Sequence, residues 1–463
     1  MAEALNKVSS HIPFADNGSY PVREGNRVAP LVDGEPAFRR ICKAIEAATH
    51  SVWVTVAFHN PDFQMPDGRG SLFDVLDRAA ARGLDVRALF WRNNDDSGFD
   101  DAEMFTGTPE HLDMLGARGA RFLARWDRAQ KRYCQHQKSW LVDAGQTGEI
   151  AFVGGINLSN QSVVAPGHAN AGGSTHDVYV EVQGPSGSDV HHNFVQRWNE
   201  ASDRAQTRGS WPHHDHAHDL KFPAVATARA GDALVQIQRT VRAGHYTDGT
   251  AAPGGRAFDI AKGERSVFEQ YLKAIDAAKS TIYFEDQAIG SPEVVEKLDA
   301  ACARGVDVVF LVPADANSEM VKARSQPQSK PFFDQLAALG RHKNFTLAGI
   351  AAPGADGVLR NVYVHAKIAL IDDCWATIGS CNIGARSFFG DTELNASFFD
   401  AKTVRALRCA LLAEHLALDT AALDDRAAFA KYRQIALANA GRRKAGERLV
   451  GLAFALDPAT YPS

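Results

Sequence analysis

Two short stretches of the chain combine a histidine and a lysine at the same spacing. They read YCQHQKSWLVD, residues 133–143, and YVHAKIALIDD, residues 363–373. In an extended strand, side chains two residues apart point to the same face. The histidine and the lysine of each stretch therefore share a face, and these pairs are His136 with Lys138 and His365 with Lys367.

Each stretch is followed by a second strand-like run, which predicts a β-hairpin. The return runs contain GGIN, ending at Asn157, and GSCN, ending at Asn382. The midpoint between each histidine and its asparagine falls in a turn-like segment, so we expect the two side chains to lie opposite each other. Asp143 and Asp372 begin these turns, about 16 Å of extended strand from the lysines. We expect a structural role for both aspartates, at the end of each hairpin.

The two sets of side chains suit an anionic phosphoryl group. Lysine and asparagine donate hydrogen bonds to anionic oxygens, and a histidine acts as nucleophile or proton carrier. Two facing sets would hold a phosphoryl group with one histidine on each side for in-line displacement. The lysines supply positive charge and would repel a zinc ion from these histidines. We therefore expect neither a metal nor another cofactor at this site.

The flanks of the two stretches repeat as well, which predicts an α/β chain of two similar halves. AAARGLDVRALF before the first stretch corresponds to AACARGVDVVFL before the second, and helix-period segments alternate with β-branched runs in both halves. We place the halves at residues 1–215 and 216–463, with the boundary in the polar segment 205–230. Its HHDHAHD tract, residues 213–219, is typical of a solvated linker, although such tracts also bind metals.

The composition is that of an ordinary globular protein. The 463 residues are 45% hydrophobic and 23% charged, and the net charge of −5 disfavours a nucleic-acid partner. Six scattered cysteines without a CxxC pair predict free thiols. We expect no membrane-spanning segment and no secretion signal. The localisation stays open between a cytoplasmic enzyme and one that is exported without such a signal.

The chain resembles the phospholipase D superfamily, whose signature is HxKxxxxD followed by G-G/S-x-N, twice per site. Both copies are complete here, and flanks such as HDVYVEVQGPSGSDVHHNFVQRWNE are similar to those of phospholipases D proper. The resemblance implies a pseudo-two-fold bilobal α/β fold. Each half would be a mixed β-sheet flanked by helices, with the active site between the halves. One departure is FEDQAI, residues 284–289, where many relatives carry an asparagine and an aromatic residue.

The resemblance also implies a covalent phosphohistidine intermediate. By analogy, His136 is the nucleophile, whereas His365 protonates the leaving alcohol and later activates water or an acceptor alcohol. Asp177 and Glu393 occupy the family positions after each hairpin, and each is expected to fix the tautomer of a histidine. The groups that are expected to hold the phosphoryl oxygens are Lys138, Lys367, Asn157 and Asn382.

Substrate contacts are expected from a second group of residues. Phe388 and Phe389 follow the second hairpin and would line an acyl cleft or pack in the core, and His176 precedes Asp177. Trp91 ends a strand, where its ring would pack on a cationic headgroup or form the rim of the site. The acidic loop 93–103 would favour such a headgroup or be simply solvated.

We expect a phospholipase D that hydrolyses the distal phosphodiester bond of phospholipids such as phosphatidylcholine, and that also transfers the phosphatidyl group to alcohols. Its partner would be phospholipid at a membrane or micelle surface. The alternative is a phosphatidyltransferase, similar to cardiolipin or phosphatidylserine synthases, or a nuclease of the same superfamily. Because one chain carries both half-sites, we expect a monomer.

Overall fold

The computed structural model describes residues 10–93, 104–202 and 218–462. The predicted boundary at residues 215 and 216, residues 213–217 of the histidine tract and residues 94–103 of the acidic loop lie outside the described residues.

The strands and α-helices of the first half run from β1 to α4. Its strands are β1 (Arg23–Val32), β2 (Ser51–Val56), β3 (Asp85–Arg92), β4 (Leu123–Arg128), β5 (Ser139–Val142), β6 (Ile150–Gly154), β7 (Thr175–His176) and β8 (Val178–Gln183). Its helices are α1 (Gly34–Ala47), α2 (Leu72–Ala81), α3 (Pro109–Arg118) and α4 (Gly187–Asn199).

The second half continues from β9 to β18. Its strands are β9 (Ala233–Val241), β10 (Glu264–Arg265), β11 (Thr281–Glu285), β12 (Asp307–Leu311), β13 (Phe345–Pro353), β14 (Leu359–Val364), β15 (Ile368–Ile371), β16 (Trp375–Gly379), β17 (Glu393–Phe399) and β18 (Ala453–Ala455). Its helices are α5 (Ser266–Ala277), α6 (Pro292–Ala303), α7 (Ser318–Arg324), α8 (Lys330–Leu339), α9 (Ala385–Phe389), α10 (Ala401–Leu416) and α11 (Asp425–Lys444).

The two halves build their sheets in the same strand order. The first sheet runs β4-β3-β2-β5-β6-β8-β1, and the second runs β13-β12-β11-β15-β16-β17-β9. In each sheet the first three strands are parallel to one another and the remaining pairs are antiparallel. Helical crossovers connect the parallel strands, as this pairing requires. The predicted mixed α/β architecture with two similar halves is confirmed.

One hydrophobic cluster spans the two halves. Val153 and Val180 of the first sheet lie in the same buried cluster as Ile378 and Ala396 of the second sheet. The strands β2, β6, β11 and β16 are apolar and buried along nearly their whole length, because helices cover one face of each sheet and the other half covers the other face. No helix among the described residues is long and apolar enough to cross a bilayer.

Both predicted hairpins form, but their register differs by one residue from the prediction. Ser139 pairs with Val153, and Ile368 pairs with Ile378. Each asparagine therefore lies one residue beyond the position that is opposite its histidine. The prediction treated each histidine and asparagine as a paired position, but the hairpin strands begin only after the lysines, and the segments that precede them pair with the other half.

Asp143 and Asp372 occupy equivalent turns and bind equivalent backbone groups. Asp143 accepts hydrogen bonds from the backbone N–H groups of residues 49–51, at 2.7–3.2 Å. Asp372 accepts them from residues 279–281, at 2.8–2.9 Å. Both aspartates have positive φ, 55° and 53°, which a short polar side chain tolerates. Each carboxylate thus joins its hairpin to the turn between a helix and the next strand.

We expect Asp143→Ala to lower the free energy of unfolding by about 2–3 kcal/mol, because three N–H groups lose a charged acceptor. Asp143→Asn keeps one acceptor oxygen and tolerates positive φ, so its loss should be clearly smaller. Urea unfolding followed by circular dichroism measures both variants. Equal stability of the alanine variant and the wild type would contradict the role assigned to this carboxylate.

Candidate active site

His136 is held by a segment of the other half. The residues before β5 cross to the second half, where Gln135 forms a bridge with Thr392, and the backbone N–H of His136 donates to the Thr392 carbonyl at 2.9 Å. This crossing places the His136 ring beside Glu393, the first residue of β17. The ring Nδ1 lies 2.9 and 3.0 Å from the two carboxylate oxygens.

His365 is held in the reciprocal way. The end of β14 runs parallel to β7, with Val364 beside His176, and the His365 N–H donates to the His176 carbonyl at 2.8 Å. The next residue after His176 is Asp177, whose Oδ2 lies 2.6 Å from Nδ1 of the His365 ring. Each histidine is therefore oriented by a carboxylate of the opposite half, so neither half alone can assemble the site. In both rings this contact uses Nδ1 and leaves Nε2 for chemistry.

The two G-G/S-x-N elements support these carboxylates differently. In the second element, the Ser380 hydroxyl donates to Glu393 Oε2 at 2.6 Å. In the first element, Gly155 occupies the corresponding position, and a Cβ there would lie 2.4 Å from Asp177 Oδ1. The glycine thus leaves room for the shorter carboxylate, whereas the serine fixes the longer one.

The two lysines of the motifs are buried beside the histidines. Lys138 is 2% exposed and Lys367 is 1% exposed. The Lys138 ammonium donates to the His136 carbonyl at 2.9 Å, and that of Lys367 donates to the His365 carbonyl. Lys367 also lies 3.3 Å from Gln287 Oε1. Burial lowers the pKa of Lys138 to about 8 and lowers that of Lys367 as well.

The asparagines of the motifs complete the polar groups of the site. The Oδ1 atoms of Asn157 and Asn382 are buried and have no hydrogen-bond partner among the described residues. Asn382 Nδ2 lies 3.4 Å from Ser387 Oγ, a weak contact. Since buried polar groups are normally paired in a resting protein, these carboxamides are available for a ligand.

Burial and the charges of the two lysines lower the pKa of both histidines. Burial lowers the pKa of His136 well below its usual range, and Lys138 and Lys367 lower it further. Burial lowers the pKa of His365 to about 3, with contributions from the same two lysines. Both imidazoles are therefore neutral at pH 7, as a nucleophilic nitrogen requires. The surrounding positive field suits an anionic phosphodiester.

Of the four expected substrate contacts, Trp91 and His176 lie in fully buried positions. Trp91 is 1% exposed and packs 5.3 Å from the Phe58 ring, which in turn lies 5.7 Å from His136. His176 is fully buried, and its two ring nitrogens face carboxylates. These placements argue against direct substrate contact by Trp91 and His176.

The two phenylalanines after the second hairpin differ from each other. Phe388 is fully buried in the core of the second half, with its ring 5.0 Å from Phe268. Phe389 is partly exposed, contacts the same ring at 4.9 Å and carries the Arg265 guanidinium 5.0 Å from its centroid. Of the pair, only Phe389 presents apolar surface to solvent.

Three residues near the site were missed by sequence reasoning. Ser380 fixes Glu393, Gln287 contacts Lys367, and the buried Asp286 accepts hydrogen bonds from the backbone of Ala288 and Ile383. Burial raises the pKa of Asp286 to about 7. Asp286 and Gln287 lie in the FEDQAI segment. Its polar residues at the end of a buried strand were the sequence feature that could have identified them.

Comparison with known proteins agrees with this geometry. A family model described as "Cardiolipin synthase, PLD-like domain" matches residues 41–189 and 271–413, and one described as "Phospholipase D" matches residues 171–313. The first model matches one segment in each half and together more than half of the chain. The chain therefore belongs to the phospholipase D superfamily, and it is an enzyme of that superfamily.

The relatives carry more specific names. Cardiolipin synthase 1 of Bacillus cereus is 24% identical over 410 residues, 87% of this chain and 70% of that protein. Cardiolipin synthase of Listeria innocua is 24% identical over 405 residues, 85% of this chain and 70% of that protein. The crystal structure of phosphatidylserine synthase from Haemophilus influenzae has the same fold, with a TM-score of 0.54, 12% identity and coverage of 84% of this chain and 86% of that chain.

These findings correct the main functional prediction. Sequence reasoning favoured hydrolysis by a phospholipase D, but the relatives are named as synthases, and so is the solved structure. The names match the alternative prediction of a phosphatidyltransferase. The motifs did not separate the two activities because both would use the same histidines, lysines and asparagines, and would differ only in the acceptor.

We expect sulfate to bind at this site and to bind more weakly as the pH rises from about 7 to about 9. The Lys138 ammonium is charged below its pKa of about 8 and neutral above it. Loss of one charge-assisted contact costs about 1.5–3 kcal/mol, or about 10- to 100-fold in affinity. Isothermal titration calorimetry measures this effect, and sulfate keeps a constant charge over the range.

Two variants sharpen this experiment. Lys138→Arg keeps its charge, so its sulfate affinity should fall less than that of the wild type over the same pH range. The exposed Lys262 serves as the control, since Lys262→Ala should behave as the wild type does. A wild-type affinity that does not change with pH would refute the assignment of Lys138 to the anion site.

Proposed function

We propose that the chain is a phosphatidyltransferase of the cardiolipin synthase type. It would transfer a phosphatidyl group from one phospholipid to a hydroxyl group on the headgroup of another. The observation that carries this proposal is the pair of buried neutral histidines, each oriented by a carboxylate of the opposite half and surrounded by two buried ammonium groups. The names of the relatives support the choice of transfer over hydrolysis.

In the first step, His136 Nε2 attacks the phosphorus atom of the donor lipid. A P–N bond forms and the bond from phosphorus to the headgroup oxygen breaks, while His365 gives a proton to the departing alcohol. Its pKa must rise for this role, and the negative charge of the bound phosphodiester acts in that direction. Glu393 accepts the Nδ1–H of His136 and stabilises the positive charge that develops on the ring.

In the second step, His365 takes a proton from the acceptor hydroxyl, and the acceptor oxygen attacks phosphorus. The P–N bond breaks and His136 is restored. Lys138, Lys367 and the two asparagines hold the phosphoryl oxygens throughout.

The histidines are only 6% and 8% exposed, so the reacting atoms have little contact with bulk water. This burial favours an acceptor alcohol that is delivered by a bound lipid.

Vesicles of phosphatidylglycerol test the proposal directly. We expect the wild-type chain to form diphosphatidylglycerol and one free glycerol per product, both measured by mass spectrometry. His136→Ala and His365→Ala should each lower the rate by about 10²–10⁴-fold or more, whereas the surface variant His342→Ala should retain it. Phosphatidic acid as the sole product, or turnover that survives in His136→Ala, would contradict the proposal.

A donor with a good leaving group separates the roles of the two histidines. Release of p-nitrophenol from phosphatidyl-p-nitrophenol needs no protonation, so His365→Ala should still give a burst of one equivalent per site. His136→Ala should give no burst, because the nucleophile is absent. Stopped-flow absorbance measures the burst. The reverse result, a burst in His136→Ala alone, would exchange the two roles.

A further inference from the structure

A second cluster of ionisable side chains lies behind the catalytic pair of His365 and Asp177. It contains Asp33, His168, His176 and Glu414, each of which directs one nitrogen or carboxylate oxygen to a common point, with all four atoms within 4.8 Å of one another. The side chains of the first three are fully buried, and that of Glu414 is 4% exposed. The reaction described above does not use any of them.

Three of the four facing atoms have no hydrogen-bond partner among the described residues. Asp33 Oδ2, His168 Nε2 and Glu414 Oε1 are buried and unpaired, whereas His176 Nδ1 lies 2.9 Å from Asp33 Oδ1. Burying one polar atom without a partner costs about 1–3 kcal/mol. Three such atoms at one point indicate a common ligand, because an accidental coincidence of this kind would be destabilising.

The hydrogen bond on the far side of the His168 ring identifies its facing nitrogen as a lone pair. The Ser174 hydroxyl donates to the Ala171 carbonyl at 2.5 Å, so toward His168 Nδ1, 2.7 Å away, it accepts. The remaining nitrogen, His168 Nε2, then directs its lone pair at the carboxylates of Asp33 and Glu414, 3.5 and 3.4 Å away. This arrangement is repulsive unless a cation or a proton lies between them. His176 Nε2 lies 3.0 Å from Glu285 Oε2 and donates to it.

Three of the distances between the facing atoms are close to those around a tetrahedral divalent metal. His168 Nε2 lies 3.5 Å from Asp33 Oδ2 and 3.4 Å from Glu414 Oε1, and His176 Nδ1 lies 3.7 Å from Glu414 Oε1. Ligands about 2.0–2.1 Å from a tetrahedral zinc ion are about 3.3–3.4 Å from each other. Two imidazoles and two carboxylates are a donor set that suits zinc, and the far-side bonds to Ser174 and Glu285 are the outer contacts typical of metal-bound histidines.

We propose that Asp33, His168, His176 and Glu414 bind one structural zinc ion. Three ligands come from the first half and Glu414 comes from α10 of the second half, so the ion would join the halves. It would also support the active site, because Asp33 Oδ1 accepts from the Asp177 N–H at 3.3 Å. Four protein ligands leave no open position, so the ion takes no part in the reaction. This inference goes beyond the proposed function and does not depend on it.

Metal content is the direct test. The HHDHAHD tract of the sequence is a second possible source of metal binding, so the reference chain carries His213→Ala, His214→Ala and His216→Ala. After exposure to zinc and dialysis, inductively coupled plasma mass spectrometry should find about one zinc ion per chain. Glu414→Gln and His168→Asn in this background should reduce the content to background. His342, which is partly exposed and lies outside the cluster, provides the matched control, and His342→Ala should keep the ion.

A stability measurement covers the case in which the variants do not fold. Stripping the reference chain with a strong chelator should lower its Tm, and added zinc should restore it, since a ligand that binds only the folded state stabilises it. A reference chain that binds no zinc and keeps its Tm overturns the proposal, as does zinc that remains in Glu414→Gln. In either case the cluster would be held by shared protons instead.

Discussion

The site depends on one reciprocal arrangement, in which the backbone that carries each histidine pairs with the other half. His136 is bonded to the strand of Thr392, and His365 is bonded to the strand of His176. In both places the next residue of that strand supplies the carboxylate for the ring, namely Glu393 and Asp177. The same backbone contacts therefore join the halves and orient both reacting rings. Any change that separates the halves would remove both orientations together.

Burial sets the electrostatics of this arrangement. Burial lowers the pKa of both imidazoles, and the charges of the two buried lysines lower it further. In the proposed reaction a neutral His136 attacks phosphorus, whereas His365 needs the charge of a bound phosphodiester before it acts as an acid. The proposal therefore couples substrate binding to proton availability. It also makes a lipid alcohol, not water, the favoured acceptor, because the histidines have little contact with bulk water.

The sequence predicted the fold class and the motif residues because both depend on local patterns. The spacing of His136 and Lys138 and the repeated flanks indicated two similar α/β halves, which the strand order confirms. The crosswise pairing was not predictable, since His136 and Glu393 are 257 residues apart and His365 and Asp177 are 188 apart. The burial of His176 was missed because no local pattern reports carboxylates that come from distant segments. The preference for hydrolysis was wrong because these motifs are the same whether the acceptor is water or an alcohol, so they do not distinguish the two activities.

The most direct test of the account follows the covalent intermediate on His136 in two carboxylate variants. Rapid quenching at alkaline pH and peptide mass spectrometry, with a p-nitrophenyl phospholipid as donor, give the rates at which the adduct forms and decays. The account predicts that Glu393→Gln slows formation, because Glu393 orients the nucleophile. It predicts that Asp177→Asn forms the adduct at the wild-type rate but retains it longer, because Asp177 orients the base for the second step. Slower formation in Asp177→Asn together with unchanged formation in Glu393→Gln would contradict the crosswise assignment.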